Sequence, residues 1–430
     1  MVDNIAMGRL ALKTYQWLLR AAVEILGLFP PRKLEKEEFA LRLGHLPEGF
    51  KAHKDGSLWV HGASLGEVIT LRPFLRELVN LYGRERVVCT TTSIDGLHQL
   101  QKDEICGFAT LMPIELPACS VPFIEKIKPK LLMINETEIW PLLLNTLKQR
   151  GIPYGIINGR INEKSVRMMR LGWSIFESGI KGMSFAFPQE KQYLRRFRIL
   201  GIDDSKQQAL GCFKYDIASA AMPKVDEIRK KYAFPSDRPI ICFGSTHPGE
   251  ENYIIEAVKP LLEKLNIGII IAPRHVKRTA EVEKIISDAG LEYKKLSEKN
   301  CGNSRIILVD SMGVLRDLYA ISDLAYVGGS LIKRGGHNLM EPAAFSKPII
   351  AGPYNFNFRY EVMALNKASA IKIANGPNEL QAIIEDWHTN TEFYQEMGKK
   401  ARSVLDSMSG ASKRTIDALQ KLGYLPKCQM

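Results

Sequence analysis

Several things are scarce in this 430-residue chain, and each absence removes a class. It has only seven cysteines, unevenly spaced and with no C-x-x-C pair. That argues against a disulfide framework or structural zinc site and for a reducing compartment. Cys89 and Cys242 sit in strand-like apolar runs and read as core. No P-loop and no G-x-G-x-x-G turn is present, so NTPases and dehydrogenases recede. No uncharged run reaches the roughly 18 residues of a spanning helix. No small-residue cleavage site marks a signal peptide. The basic residues are scattered rather than gathered in an arm, and no nucleic-acid-binding signature accompanies them.

What remains is a soluble globular composition, 45% hydrophobic and 25% charged, on a chain long enough for two domains. The net charge of +12 asks for an anionic partner, and a phosphorylated substrate or an anionic membrane surface both fit. Near the N-terminus, Leu12, Tyr15, Leu19, Ala22, Leu26 and Phe29 recur at spacings of three and four, which predicts a helix with one apolar face. Tyr15 and Trp17 suit a membrane interface, and Pro30-Pro31 should end the helix. Packing on the protein's own core is the plainer alternative.

Strand-like runs then alternate with helical patterns. In the first half they fall at Leu58–His61, Arg86–Thr91, Phe108–Leu111, Lys130–Ile134 and Tyr154–Ile157, with short strands near Met183–Phe187 and Gln207–Leu210. The alternation restarts at Pro239, with strands at Ile240–Phe243, Gly268–Ala272, Arg305–Val309, Leu324–Val327, Pro348–Ala351 and Ala370–Ile373. Two such halves predict an α/β chain of two Rossmann-like, doubly wound domains facing across a cleft. The expected divisions are an interface helix (1–31), a first domain (32–213), a linker (214–238), a second domain (239–390) and C-terminal helices (391–430).

Ligands of open parallel sheets bind beyond the carboxyl ends of the strands, so the residues there carry the argument. In the first half these turns hold Ser64, Gly66 and Glu67, then Thr91, then Glu136 and Glu138. Glu67 opens a helix, where a carboxylate can pair with the helix dipole or serve as a general base. Glu136 and Glu138 can cap the following helix or contact substrate, and spacing does not choose between them. In the second half the turns hold Ser245, Thr246 and His247, then Arg274 and His275, then a glycine-rich stretch from Gly328. There Gly335 and Gly336 allow close backbone approach, and Lys333, Arg334, His337, Asn338 and Glu341 lie within nine residues. With Asn338 capping the helix that carries Glu341, this reads as an anion site. Arg274 and Lys214 read as phosphate partners, or as solvated surface charge. His247, His275 and His337 have Thr, Pro, Arg and Gly neighbours, so a metal site is disfavoured.

Taken together the stretches H-G-A-S-L-G-E-V (61–68), E-T-E-I-W-P (136–141), I-N-G-R (157–160), G-S-T-H-P-G-E-E (244–251), P-R-H (273–275), D-S-M-G (310–313) and 328–359 resemble the Kdo transferases of lipopolysaccharide assembly. The resemblance implies a metal-independent, inverting GT-B glycosyltransferase without a cofactor. CMP-Kdo would be the donor and an anionic lipid A precursor the acceptor, at the cytoplasmic face of the bacterial inner membrane. It casts Glu67 as the base, with Glu136 or Glu138 as a second acid. Lys214, Ser245, Thr246, His247, Arg274, His275, Gly335, Gly336, His337 and Asn338 would serve the donor, Glu341 its ribose, and Ser311, Met312 and Gly313 its base. Ser64, Gly66, Thr91 and Arg160 would serve the acceptor. The chain departs from the family pattern at Cys212-Phe213, Val314 and Arg334. A GT-B enzyme using another nucleotide sugar, or a non-catalytic lipid- or partner-binding member, is the alternative.

Overall fold

The computed structural model describes residues 2–28, 36–48, 50–218 and 224–427. The chain divides into two compact units, Met1–Ile217 with Ser409–Met430, and Ala218–Met408. In the first unit lie β1 (Ser57–His61), β2 (Val87–Thr91), β3 (Phe108–Leu111), β4 (Pro129–Asn135), β5 (Tyr154–Gly159) and β6 (Phe185–Pro188). They pair in parallel, in the order β3-β2-β1-β4-β5-β6. Every residue of β1, β2 and β5 is buried, which is why these strands read as apolar runs and not as alternating ones. Leu58, Val60 and Met133 face a core with Phe74 and Leu78, while Trp59, Leu132 and Ile134 face another with Phe123 and Leu144.

The second unit contains β7 (Ile240–Thr246), β8 (Gly268–Pro273), β9 (Lys294–Lys295), β10 (Ile306–Leu308), β11 (Leu324–Val327), β12 (Ile349–Ala351) and β13 (Lys372–Ile373). Its sheet is also parallel, ordered β13-β12-β11-β7-β8-β10-β9. Chain order reverses between β1 and β4 in one sheet and between β7 and β11 in the other. Those are the two places where a doubly wound sheet opens a crevice.

Three expectations need correction. Gln207–Leu210 is not a strand: after a short turn, Gln207 makes a single bridge to Ala186. The C-terminal helices do not form one segment. Thr391–Met408 belongs to the second unit, whereas Ala411–Lys421 returns to the first. There the Asp216 carboxylate accepts from the Gly410, Ala411 and Ser412 amides, capping the last helix, and Ile416 and Leu419 join the core around Phe74. Of the expected linker, Phe213–Ala218 and Val225–Tyr232 are helical, and 219–223 lies outside the described residues.

The third correction concerns the N-terminal helix, Val2–Leu28. Of the face expected to meet a membrane, Leu12, Tyr15 and Leu19 are turned to the protein, Ala22 is exposed, and the side chains of Leu26 and Phe29 lie outside the described residues. Leu12, Tyr15, Leu19 and Val23 pack beside Leu116, Cys119 and Leu142. The Tyr15 hydroxyl donates to Glu115 Oε1 at 2.6 Å, while Glu115 Oε2 accepts from the Leu142 amide at 2.7 Å. Burial pushes the Glu115 carboxyl up, and burial with its hydrogen bond to Glu115 pushes the Tyr15 phenol up. A second apolar face, Leu10, Trp17, Leu18 and Ile25, is exposed, with Trp17 69% accessible. Phe29, Pro30-Pro31 and residues 32–35 lie outside the described residues. Among the described residues no helix is long and apolar enough to cross a membrane.

Candidate active site

At the switch point of the first unit, β1 ends at His61 and the chain turns into the helix Leu65–Tyr82. Ser64 caps that helix, accepting from the Glu67 amide, and the Glu67 carboxylate folds back over the turn. Its Oε2 accepts from the Ala63 amide at 3.1 Å and from Asn135 Nδ2 at 3.4 Å. Asn135 is itself held by Asn158 Nδ2 at 3.0 Å, and both asparagines are buried. Among the described residues Oε1 meets only the Ser64 hydroxyl, at 3.3 Å, and the side chain is half-buried. One oxygen is thus anchored and the other stays open to a ligand. Gly66 is exposed in the same turn.

The letters Gly62-Ala63-Ser64-Leu65-Gly66 also fit the G-x-S-x-G of a hydrolase elbow. Here Ser64 has an ordinary extended backbone, φ −108°, and serves as a cap, while the neighbouring His61 ring lies against Thr90 and Glu138. A strained, imidazole-activated nucleophile is not what this turn builds.

Beyond β4 the chain places Glu136 and Glu138 in different surroundings. Glu136 has a left-handed backbone, φ +57°, with its amide on the Ile157 carbonyl. Burial pushes its carboxyl up, the charge of Glu67 pushes the same way, and Arg160 offsets part of this. Glu138 Oε2 instead lies 2.9 Å from His61 Nε2 and accepts from Trp140 Nε1 at 3.1 Å. Glu136 therefore shares an electrostatic environment with Glu67 and Arg160, and Glu138 is fastened to the buried end of β1. Thr91, expected at an acceptor, is fully buried with its hydroxyl on the Ala63 carbonyl, and shapes the turn from beneath.

The second unit's switch point has the opposite character. Ser245 takes a left-handed backbone, φ +57°, where β7 bulges against β8. Behind it His247 Nε2 lies 2.8 Å from His337 Nε2, the rings parallel, with the His275 ring 6.0 Å from His247. Burial lowers His337 to about 4, helped by His247, Arg274 and His275. Burial also lowers His247, with Arg334, His275 and Arg278 adding to it. A cavity of about 360 Å³ is lined by Ser245, Arg274, His337, Asn338 and Glu341 together with Tyr319, Leu315, Val327 and Phe358. A side chain at Gly244 would collide with the Tyr319 hydroxyl, so glycine keeps the strand end close to this wall. Glu341 accepts from Asn338 Nδ2 at 3.2 Å; burial raises its carboxyl while Asn338, Arg316 and Arg274 pull it down.

The glycine-rich turn after β11 binds an anion, but the anion belongs to the chain. The fully buried Glu250 carboxylate accepts from the Gly329, Ser330 and Leu331 amides at 2.7, 3.0 and 2.9 Å. The His247 amide and the Tyr326 hydroxyl donate to it as well. These amides are therefore engaged by the chain itself, and the cavity is lined by the neighbouring side chains. Glu250 is not among the residues expected at the site, and the sequence signal for it is the same glycine-rich turn that invites an anion. The helix carrying Glu341, Met340–Ala343, has only four residues, so it offers no helix-terminal anion site. Asn338 Oδ1 accepts from the Met340 amide.

Several expected donor residues lie elsewhere. Thr246 is fully buried with its hydroxyl on Glu251, which in turn pairs with Arg278. Ser311, Met312 and Gly313 are exposed and do not line the cavity. Gly335 and Gly336, both at positive φ, are buried against Asn357, Phe356 and Asn355. His275 is exposed and does not line the cavity, whereas Arg274 is exposed at its wall. Lys214 belongs to the first unit, its ammonium over the Tyr215 ring. A depression of about 440 Å³ beside Lys54, Lys128 and Lys130 lies at the amino ends of β4 and β5, away from the first unit's switch point. Among the described residues no group of three or more His, Cys, Asp or Glu side chains is arranged to hold a metal ion.

The family model described as 3-deoxy-D-manno-octulosonic-acid transferase (kdotransferase) matches residues 37–217. The 3-deoxy-D-manno-octulosonic acid transferase of Haemophilus influenzae is 31% identical over 373 residues, covering 84% of this chain and 86% of that one. Among solved structures, the C-terminal CMP-Kdo binding domain of WaaA from Acinetobacter baumannii is 30% identical, with a TM-score of 0.39, over 42% of this chain and 95% of that one. UDP-GlcNAc 2-epimerase from Neisseria meningitidis aligns with a TM-score of 0.60 at 15% identity, over 85% of this chain and 99% of that one. This last likeness is one of fold.

Proposed function

This chain belongs to the Kdo transferase family, whose members are glycosyltransferases, and from that premise we propose that it moves Kdo from CMP-Kdo to a lipid A precursor with inversion at the anomeric carbon. The first unit would take the acceptor. An acceptor hydroxyl oxygen forms the new bond to the anomeric carbon, the bond from that carbon to the CMP phosphate oxygen breaks, and the hydroxyl proton goes to Glu67. The observation that carries this reading is the Glu67 carboxylate, one oxygen anchored on Ala63 and Asn135 and the other open. A base needs that arrangement beside a hydroxyl. Positive charge on the sugar ring grows as the bond to CMP breaks, as in glycoside hydrolysis.

The second unit would take the donor. Arg274, which lines the cavity, would meet the departing phosphate with its planar fork. Glu341, in the same cavity, would hold the ribose hydroxyls. Neither a metal ion nor a cofactor enters this scheme, since CMP-Kdo is a co-substrate. The outer face of the N-terminal helix, Leu10, Trp17, Leu18 and Ile25 beside exposed Lys13 and Arg20, would rest on an anionic membrane surface, the cytoplasmic face of the inner membrane.

The test is transfer from freshly made CMP-Kdo to a lipid A precursor with EDTA present, comparing wild type with Glu67→Gln. Wild-type product is expected, with activity in the variant lower by about 10²–10⁴-fold and CMP still bound. Absence of wild-type product would overturn the donor or acceptor assignment, and full activity in the variant would make Glu67 only a cap.

A further inference from the structure

A continuous polar chain runs beneath the first unit's switch point. Trp59 Nε1 donates to Thr90 Oγ1 at 2.8 Å, and Thr90 Oγ1 lies 2.9 Å from His61 Nδ1. His61 Nε2 then lies 2.9 Å from Glu138 Oε2, which also accepts from Trp140 Nε1. Hydrogen positions follow from this network. An indole nitrogen only donates, so Thr90 accepts from Trp59. Thr90 is buried and its hydroxyl hydrogen needs an acceptor, which His61 Nδ1 supplies. That leaves the ring proton on Nε2, aimed at the carboxylate. The reverse tautomer would orphan the Thr90 hydrogen and set a nitrogen lone pair against a carboxylate oxygen.

We infer that His61 is a positioning residue for transfer: its Nε2–H, with Trp140, ties down Glu138 Oε2 so that Oε1 is presented to a hydroxyl of the acceptor sugar. This rests on reading the first unit as the acceptor site. The His61 side chain is wholly buried and cannot touch an acceptor, whereas the Glu138 side chain is 30% exposed. Glu138 Oε1 has no hydrogen-bond partner among the described residues. The Trp140 ring stands edge-on to the imidazole, 6.2 Å away, and its indole nitrogen holds the same carboxylate oxygen as His61. The two acids of the E-T-E stretch thereby separate: Glu136 answers to Glu67 and Arg160, and Glu138 to β1 through His61.

A mutant cycle tests this. His61→Leu and Glu138→Gln should each raise the acceptor KM by about 10–100-fold, the scale of losing a hydrogen bond to a charged group. The double variant should stay within about twofold of Glu138→Gln, because His61 acts only through Glu138. In His61→Gln the side-chain amide nitrogen can reach the Nε2 position, so this variant should recover most of the loss, while CMP binding is unchanged throughout. Thermal unfolding separates a packing defect: a merely structural His61 would lower the midpoint in Leu and Gln variants alike and give an additive cycle. Independently, the ¹⁵N resonances of the wild-type ring should report a protonated Nε2 and a bare Nδ1. With wild-type transfer intact, additivity or an Nδ1–H tautomer overturns the inference alone. Absence of wild-type transfer would instead overturn the functional reading, and this inference with it.

Discussion

The two switch points share a topology and differ in sign. In the first unit, the carboxyl ends of β1 and β4 gather Glu67, Glu136 and Glu138, oriented by backbone amides, two buried asparagines and a buried imidazole. In the second, the ends of β7, β8 and β11 gather His247, Arg274 and His337 beside the cavity, and the carboxylate beneath the glycine turn, Glu250, is enclosed by five donors. A doubly wound sheet therefore fixes where a ligand sits, and the residues that end its central strands fix what kind. The acidic edge suits withdrawing a proton, and the basic edge suits receiving an anion.

The sharpest way to break this contrast is to remove the buried acid that organises the basic edge. In Glu250→Gln the side-chain NH₂ would face backbone donors. If two of them lose their acceptor at about 1–3 kcal/mol each, unfolding free energy falls by about 2–6 kcal/mol. Denaturant unfolding measures the loss, and hydrogen exchange locates it. The Gly329, Ser330 and Leu331 amides should exchange faster, while the Ala63 amide, which donates to Glu67, should not change. Unaltered exchange at the glycine turn would mean that Glu250 does not hold it.

A smaller effect separates the units by surface. The N-terminal helix of the first carries a second apolar face that is exposed. Replacing Trp17 and Leu18 by Ser should weaken binding to anionic vesicles by about tenfold or more, since burying such a side chain is worth about 1.5–3 kcal/mol. Stability should move by no more than about 0.5 kcal/mol. Leu19→Ser, on the packed face, should do the reverse. Equal vesicle affinity in all three proteins would remove the membrane role of this face.

The contrast was partly legible in the sequence. β3 and β11 match their expected bounds, and the other principal strands fall within a few residues, because strands buried on both faces are continuous apolar runs. The acidic and basic strand-end turns followed directly from those bounds. What did not follow depends on partners distant in the chain. The N-terminal helix has two apolar faces, and periodicity cannot say that Glu115, a hundred residues on, will capture Tyr15. The glycine turn advertised an anion site, but its occupant lies in the helix after β7. Glu136 and Glu138 are two residues apart, and only the left-handed backbone at Glu136 and the ring of His61 set them in different environments.

The smallest effect concerns charge on the basic edge itself. Burial, with His247, Arg274 and His275 nearby, holds His337 at about 4, below the ordinary imidazole value near 6.5. Between those two pH values the unfolded chain binds a proton that the folded protein does not. The stabilising contribution is therefore complete above about pH 6.5 and is lost as pH falls toward 4. Wild-type stability should decline on acidification through this window, and His337→Asn should decline less. Phosphate adds a check, because an anion in the cavity favours the imidazolium. With CMP bound, the His337 ring should titrate at higher pH, which ring ¹⁵N shifts would show directly. An unmoved titration would place the phosphate away from His337 and leave its recognition to Arg274.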